Sequence, residues 1–236
     1  MNIFLSPHLD DICFSSFLAI KEEPKNSCII NVFNKSCWNF LQAPDKKKAD
    51  LVTKSRKQEE LLFGSKLGVN IDFLGLEDSS LRHNNFGDEY EISSRKDQVF
   101  SVASTKIAEK LEQYTPLARI YVPLGISYHV DHLICRDVIL QRQDLREKTF
   151  LYEDLPYIAS FSEEDIHDFV CDFDFRLTPL ILKADSPKSK ITSMSLYQSQ
   201  LESHTISKVV NYGLRLGGDE FLAERYWKLE LSEDDQ

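Results

Sequence analysis

Three residues near the N-terminus, His8, Asp10 and Asp11, combine residue type and spacing suited to metal chemistry. Imidazole and carboxylate both ligate a borderline divalent ion such as zinc. His8 and Asp11 stand three apart, so one turn of chain can aim both at one ion. Adjacent carboxylates do not easily share a direction. Asp10 is therefore free to hold a water beside the ion and take its proton. Two protein ligands make a weak site, so a third must come from elsewhere. The stretch Gly125-Ile126-Ser127-Tyr128-His129-Val130-Asp131-His132 offers it. His129 and His132 are related i, i+3 and face similar directions if a helix starts there; either can complete the site. Each cluster also has an ordinary reading. Asp is favoured at a helix N-cap, and a His-x-x-His pair often arises by chance.

The elements that carry the two clusters favour a joint site. Ile3-Phe4-Leu5 and Ile120-Tyr121-Val122 are short apolar runs that read as buried strands. Both clusters then fall at strand C-termini, where open α/β sheets bind ligands. Further strands are predicted at Ser27 to Phe33, Val69 to Leu74 and Thr149 to Tyr152, and an exposed-edge strand at Phe173 to Leu182. Helices are predicted after Asp11, over Lys46 to Leu67 with Gly68 as its stop, and over Gln98 to Gln113 with Pro116 marking its end. Others run from the second cluster to about Arg142, from the capping box Ser162-Glu163-Glu164-Asp165, and from Ser186-Pro187 to about Leu201. Glu77 to Asp97 reads as a long loop of the kind that forms binding elements or lids, with His83 as a solvated loop histidine. Gly217-Gly218 is a turn, Glu220 to Trp227 a last helical turn, and Glu233-Asp234-Asp235-Gln236 an acidic, frayed tail. Strands alternating with helices imply an α/β fold, a Rossmann-like three-layer αβα arrangement with a mostly parallel sheet. No Gly-x-Gly-x-x-Gly follows any strand, so no dinucleotide is expected.

The paired clusters resemble the two signature motifs of the PIG-L/LmbE-like family of zinc-dependent N-acetylglucosamine de-N-acetylases. The usual His-Pro-Asp-Asp-Glu reads here His8-Leu9-Asp10-Asp11-Ile12, and the usual His-x-Asp-His reads His129-Val130-Asp131-His132. Softer likenesses extend over most of the chain: Val32-Phe33-Asn34-Lys35-Ser36, Arg56-Lys57-Gln58-Glu59, Leu74-Gly75-Leu76-Glu77-Asp78, Tyr152-Glu153-Asp154-Leu155-Pro156-Tyr157 and Tyr197-Gln198-Ser199-Gln200. The resemblance implies that His8, Asp11 and His132 bind one zinc, or another divalent ion such as Fe2+. It implies Asp10 as general base, His129 as oxyanion donor and possible acid towards the leaving amine, and Asp131 as the group that orients or charges His129. Arg56, Asp78 and Tyr128 are the substrate-binding residues it suggests, with Glu59 in a structural role. Leu9 in place of Pro would loosen the loop, and Ile12 in place of Glu removes a polar group near the site.

Composition bounds the partners. The chain has 236 residues and no compositional break, as expected for a single domain over 1–236. A formal net charge of -10 argues against nucleic acid and anionic membranes. No apolar stretch approaches the length of a membrane span. Met1-Asn2 leads directly into the first predicted strand, so no signal peptide is expected. An odd number of cysteines, five, with no Cys-x-x-Cys, fits reduced thiols in the cytoplasm. Cys13 and Cys135 read as small packing residues. Trp38 and Phe40 read equally as an aromatic wall for a sugar or as loop packing. The expected partner is a small amino-sugar substrate, and a homo-oligomer is compatible with the composition.

The functional expectation is hydrolysis of an N-acetyl group from an N-acetylglucosamine-type substrate. Two alternatives accompany it: a related zinc amidase acting on another amide, such as a thiol-sugar conjugate or a secondary-metabolite intermediate, and a non-catalytic sugar- or partner-binding protein on the same scaffold. Intact Asp10, His129 and Asp131 weigh against the second, because binding alone needs neither base nor oxyanion donor. Magnesium-dependent phosphoryl transfer prefers oxygen-rich sites, which two histidines disfavour.

Overall fold

The computed structural model describes residues 1–85, 87–114 and 118–230. In chain order the elements are β1 (Asn2–Ser6), α1 (Asp11–Ser15), α2 (Phe17–Glu22), β2 (Ser27–Asn31), α3 (Ala49–Leu67), β3 (Asn70–Phe73), α4 (Ser79–Arg82), α5 (Phe100–Leu111), β4 (Arg119–Pro123), α6 (Val130–Leu140), α7 (Gln143–Arg146), β5 (Thr149–Tyr152), α8 (Glu163–Cys171), β6 (Arg176–Ala184), α9 (Lys188–Met194), α10 (Thr205–Leu216) and β7 (Leu222–Glu230). The seven strands form one sheet in the order β3-β2-β1-β4-β5-β7-β6. Pairings from β3 through β5 are parallel; β7 pairs antiparallel with both β5 and β6. Helices pack on the sheet, α6 on β4, α10 on β7 and α3 on β3, giving the expected α/β layering.

Strand β1 is apolar and buried along its whole length, as a central strand with both faces covered must be. The chain runs outward from it through β2 to β3, then returns to lay β4 on its other side. The sheet's order therefore reverses between β1 and β4, and a crevice opens beyond their C-terminal ends. Both histidine clusters lie there.

Strand expectations for the first five strands hold to within a residue or two. The helix expected from Lys46 begins with a 3-10 turn over Lys46–Lys48 and ends at Gly68, whose φ of 75° closes it in the left-handed form. The capping box at Ser162 is complete, with Asp165 returning the bond, and β6 is an edge strand as its alternation suggests. The expected end of α5 at Pro116 and the acidic tail lie outside the described residues.

Glu220 to Trp227 is a correction. It forms most of β7, a nine-residue strand inside the sheet. Its sequence, Leu-Ala-Glu-Arg-Tyr-Trp, lacks a period-2 alternation because both faces are buried. The charged members are neutralised by distant partners, Glu224 by Lys190 and Arg225 by Glu153 and Glu163. Helix α10 precedes it, amphipathic and packed on β7, with no counterpart among the sequence expectations. The segment 77–97 holds α4 and two 3-10 turns rather than an unstructured loop.

Candidate active site

The loop after β1 is pinned by its own short bonds. The His8 backbone N–H donates to Asp11 Oδ2 at 2.7 Å, Val32 N donates to Ser6 O and Phe33 N to Pro7 O. Leu9 is buried, so the residue in the usual proline position anchors the loop in the core instead of loosening it. Ile12 is likewise a core residue. Asp10 occupies the N-cap position of α1, yet its carboxylate makes no cap hydrogen bond. It meets the Arg56 guanidinium at 3.2 Å and faces a cavity of about 500 Å³.

The second loop is shaped by Gly125, with φ 79°; a Cβ there would meet Arg136 and Leu133 at 2.9 Å. Its N–H donates to Asp154 Oδ2 at 2.6 Å. His129 caps α6: its Nδ1 accepts from the Asp131 backbone N–H at 3.2 Å. A ring nitrogen that accepts carries no proton, so Nε2 bears the hydrogen. Nε2 lies 3.4 Å from Ser79 Oγ, at the cavity. Burial, then the charge on His8, push the His129 pKa well down. His129 is thus a neutral imidazole presenting an N–H.

His8, Asp11 and His132 converge. His8 Nδ1 and His132 Nε2 lie 3.4 and 3.5 Å from Asp11 Oδ2. Ligands about 2.0–2.1 Å from a tetrahedral ion are spaced about 3.4 Å apart, so these separations fit one. The far nitrogen of each ring is held by a carboxylate: His8 Nε2 by Asp131 at 2.9 Å, His132 Nδ1 by Asp154 at 2.5 Å. Carboxylates behind the histidines are the usual outer layer of such sites. The buried His132 Nε2 has no hydrogen-bond partner among the described residues, an orphan that a cation would satisfy. A second grouping, His8, His129 and Asp131, is equally close. Its donor atoms are already committed, Asp131 to His8, Ser79 N and Arg82, and His129 Nδ1 to the Asp131 N–H. The first triplet is the one left open to a divalent ion.

Burial alone would lower the His8 pKa, but its bonds to Asp11 and Asp131 hold it up at about 10. Burial would raise Asp11, yet His132 and His8 bring it down to about 2. Asp131, also buried, is held far below the carboxylate range chiefly by Arg82. Burial and the neighbouring Asp11 carry Asp10 up to about 6, against the pull of Arg56.

Arg56 lies inside α3, 4% exposed, and spans the site: Ser36 Oγ at 2.9 Å, Asp10 at 3.2 Å and Asp78 at 3.8 Å. Asp78 is buried on the cavity wall, its pKa raised by burial, and accepts from Ser80. Glu59, on the same helix, accepts from Ser199 N and Oγ and ties α3 to the chain after α9. The Asp131 carboxylate makes no hydrogen bond with His129; it holds His8 and Arg82. Tyr128 is not part of the cavity wall. It sits at φ 60°, exposed, with its ring against Phe169. The aromatic wall is made by Trp38, Phe40, Tyr90 and Tyr157 instead. Sequence reasoning missed Arg82, whose link to Asp131 crosses 49 positions, and it left Asp154 within a stretch that lines the pocket. His83 is corrected too: its side chain is 10% exposed, bonded to Asp97 and on the cavity wall.

Known proteins share the family and the fold of this chain. Residues 3–142 match the family described as GlcNAc-PI de-N-acetylase, and the chain belongs to that PIG-L family. A 2'-N-acetylparomamine deacetylase from Streptomyces fradiae is 26% identical over 222 residues, covering 91% of this chain and 78% of that protein. Two solved structures share the fold over 98% of each chain at 18% identity. One is a deacetylase of the teicoplanin biosynthesis pathway, with TM-score 0.74, and the other the zinc-inhibited form of teicoplanin deacetylase Orf2, with TM-score 0.72. By family the chain is an enzyme of the deacetylase type. No described helix is long and apolar enough to cross a membrane.

Proposed function

We propose that this enzyme hydrolyses the N-acetyl group of a small amino sugar with one zinc ion held by His8, Asp11 and His132. The observation that carries the reading is the orphaned His132 Nε2, facing Asp11 and His8 with both histidines braced from behind. When bound, the ion supplies Lewis acidity and lowers the pKa of water from about 15.7 towards about 7. Asp10 is placed to accept the proton from that water, and its raised pKa of about 6 suits a base that must later release it. The water oxygen forms the new bond to the acyl carbon. His129 donates its Nε2–H to the carbonyl oxygen as negative charge develops there, a role worth on the order of 3 kcal/mol of barrier. As the C–N bond breaks, Asp10 delivers the proton to the nitrogen, and acetic acid and the free amine result, which leave as acetate and ammonium once the remaining proton passes to the amine. The structure favours Asp10 over His129 for this delivery, since His129 is neutral and its Nδ1 is engaged. Arg56 and Asp78 orient the sugar, and Arg56 also fixes Asp10. A cytoplasmic location goes with this reading, in keeping with five free cysteines.

The amino-sugar substrate is also in keeping with the paromamine deacetylase among the relatives. The test is metal content by elemental analysis, paired with acetate release from N-acetylated amino sugars. One zinc per chain, with acetate release that a chelator abolishes and zinc restores, is expected. Protein that takes up no divalent metal would refute the site. Metal without acetate release from any amino sugar, but with cleavage of another amide, would move the enzyme to the amidase alternative.

A further inference from the structure

The cavity wall formed by the segment between α4 and α5 carries two polar groups that the proposed chemistry does not use. Glu89, in the 3-10 turn Asp88–Tyr90, is 7% exposed and lines the cavity. Its Oε2 accepts from the Gly87 N–H at 2.9 Å. Among the described residues no basic side chain pairs with it. A carboxylate buried this far normally has a cationic partner. His83 lines the same cavity. Its Nε2 lies 3.0 Å from Asp97 Oδ2, and Arg82 holds the buried Asp97 ionised against its desolvation. In the neutral imidazole that bond puts the hydrogen on Nε2 and leaves Nδ1 as an acceptor. Nδ1 is buried without a partner among the described residues. One segment therefore carries two groups with acceptor capacity to spare among the described residues: the Glu89 carboxylate, which receives the Gly87 N–H but no cation, and His83 Nδ1, which receives nothing. It adjoins the reacting centre, for Tyr90, next to Glu89, sets its ring edge-on to His129 with centroids 5.4 Å apart.

We infer that this wall recognises a second amino group on the substrate, protonated and distinct from the acetylated one. Glu89 pairs with the ammonium, and His83 Nδ1 accepts from an N–H or O–H beside it. The substrate class is then a polyamino sugar carrying a free amine, not a neutral glycan. This rests on the reading of the site as an amino-sugar deacetylase and narrows its substrate. The chain's net charge of -10 favours the approach of such a cation.

The experiment compares two N-acetylglucosaminides, one bearing a second free amine and one with that amine replaced by hydroxyl, on the zinc-loaded enzyme and on Glu89→Gln. The enzyme is expected to prefer the amine-bearing compound about tenfold or more in kcat/KM, mainly through KM, because a hydrogen-bonded buried charge is at stake. Added salt should shrink that preference. Glu89→Gln should narrow it by about the same factor. Equal kcat/KM for the two compounds, or a preference that survives Glu89→Gln, would overturn the inference. Hydrolysis of neither would fail the deacetylase reading instead. Calorimetric titration with the deacetylated diamino product then decides for Glu89 alone, expecting about tenfold weaker binding to Glu89→Gln; unchanged affinity would overturn it.

Discussion

Two buried polar clusters sit at different places in this molecule and have opposite bookkeeping. Around β7, Glu224 Oε1 takes the Lys190 ammonium at 2.6 Å, while its Oε2 takes Leu18 N and Tyr226 Oη. Glu153 accepts from Arg225, Tyr212 and Trp227. Each of these carboxylates is fully engaged, Glu224 by Lys190, Leu18 and its strand neighbour Tyr226, Glu153 by residues 59 to 74 positions away. At the ends of β1 and β4, equally buried groups are held firmly from behind and left open in front. His132 has its Nδ1 on Asp154 and its Nε2 hydrogen-bonded to none of the described residues, and Asp10 forgoes its helix cap. Burial alone does not mark a functional site, since both clusters are buried and charged. Donor and acceptor capacity left unspent where the two loops meet marks it.

The largest test of that contrast is Asp10→Asn. It should reduce turnover on the order of 10²–10⁴-fold, with metal content and thermal midpoint close to those of the parent, because the Asp10 carboxylate lies outside the proposed ligand set and caps nothing. Loss of zinc together with activity would show that Asp10 belongs among the ligands. The mirror experiment lies at the other cluster. Lys190→Met should leave Glu224 buried and uncompensated, costing about 3–5 kcal/mol of stability in denaturant unfolding. Turnover per folded, metal-loaded molecule should hold. A variant of normal stability with lost activity would join the two clusters functionally and break the distinction.

How legible each region was follows from the same contrast. The site's centre is written locally: His8, Asp10 and Asp11 span four positions, His129 and His132 another four, and both follow apolar runs. What braces it is not local. His8 reaches Asp131 across 123 positions, and no spacing rule connects His132 to Asp154. Tyr128 was drawn into the site by its neighbours in sequence, whereas a left-handed backbone turn swings it out to Phe169. His83 looked like a solvated loop residue because nothing near it in sequence announces the Asp97 that buries it. The β7 region was misread outright, since a strand buried on both faces has no alternation and its charges are explained only by Lys190, Glu153 and Glu163. The parallel half of the fold could be read from apolar runs and their punctuation. The antiparallel half depends on pairing that only the folded chain supplies.

Between the clusters lies Glu60, buried beneath the site and bonded to Asn31 Nδ2 at 3.0 Å and Tyr197 Oη at 2.6 Å. Its bonds are made, yet burial raises its pKa to about 7, so it shares features of both. A carboxyl whose folded pKa exceeds its unfolded value makes the folded state bind the proton more tightly. Its contribution is complete below the unfolded pKa of about 4.3 and is lost as pH rises through about 7. Glu60→Gln should remove that slope. The stability of the variant relative to the parent should therefore rise by about 3 kcal/mol between pH 4.5 and pH 8, read from denaturant midpoints at each pH. A difference independent of pH would mean that Glu60 ionises in the fold as easily as in the unfolded chain.

The smallest expected effect is also the sharpest, because Asp154 belongs to both kinds of cluster. Its Oδ2 accepts from Gly125 N, which shapes the second loop, and its Oδ1 holds His132 Nδ1. If its work is to fix the ring and keep Nε2 a good donor to an ion, Asp154→Asn should weaken zinc affinity about 10–100-fold. The amide still offers one oxygen, so the loop or the imidazole can keep an acceptor but not both. At saturating zinc most of the turnover should return. If Asp154 only builds the loop, the variant should lose stability and regain no activity with added metal. Competition with a chromophoric chelator, measured alongside turnover as zinc is raised, separates the two: weakened binding with recovery assigns Asp154 to the metal site, and unchanged affinity with lost stability assigns it to the loop.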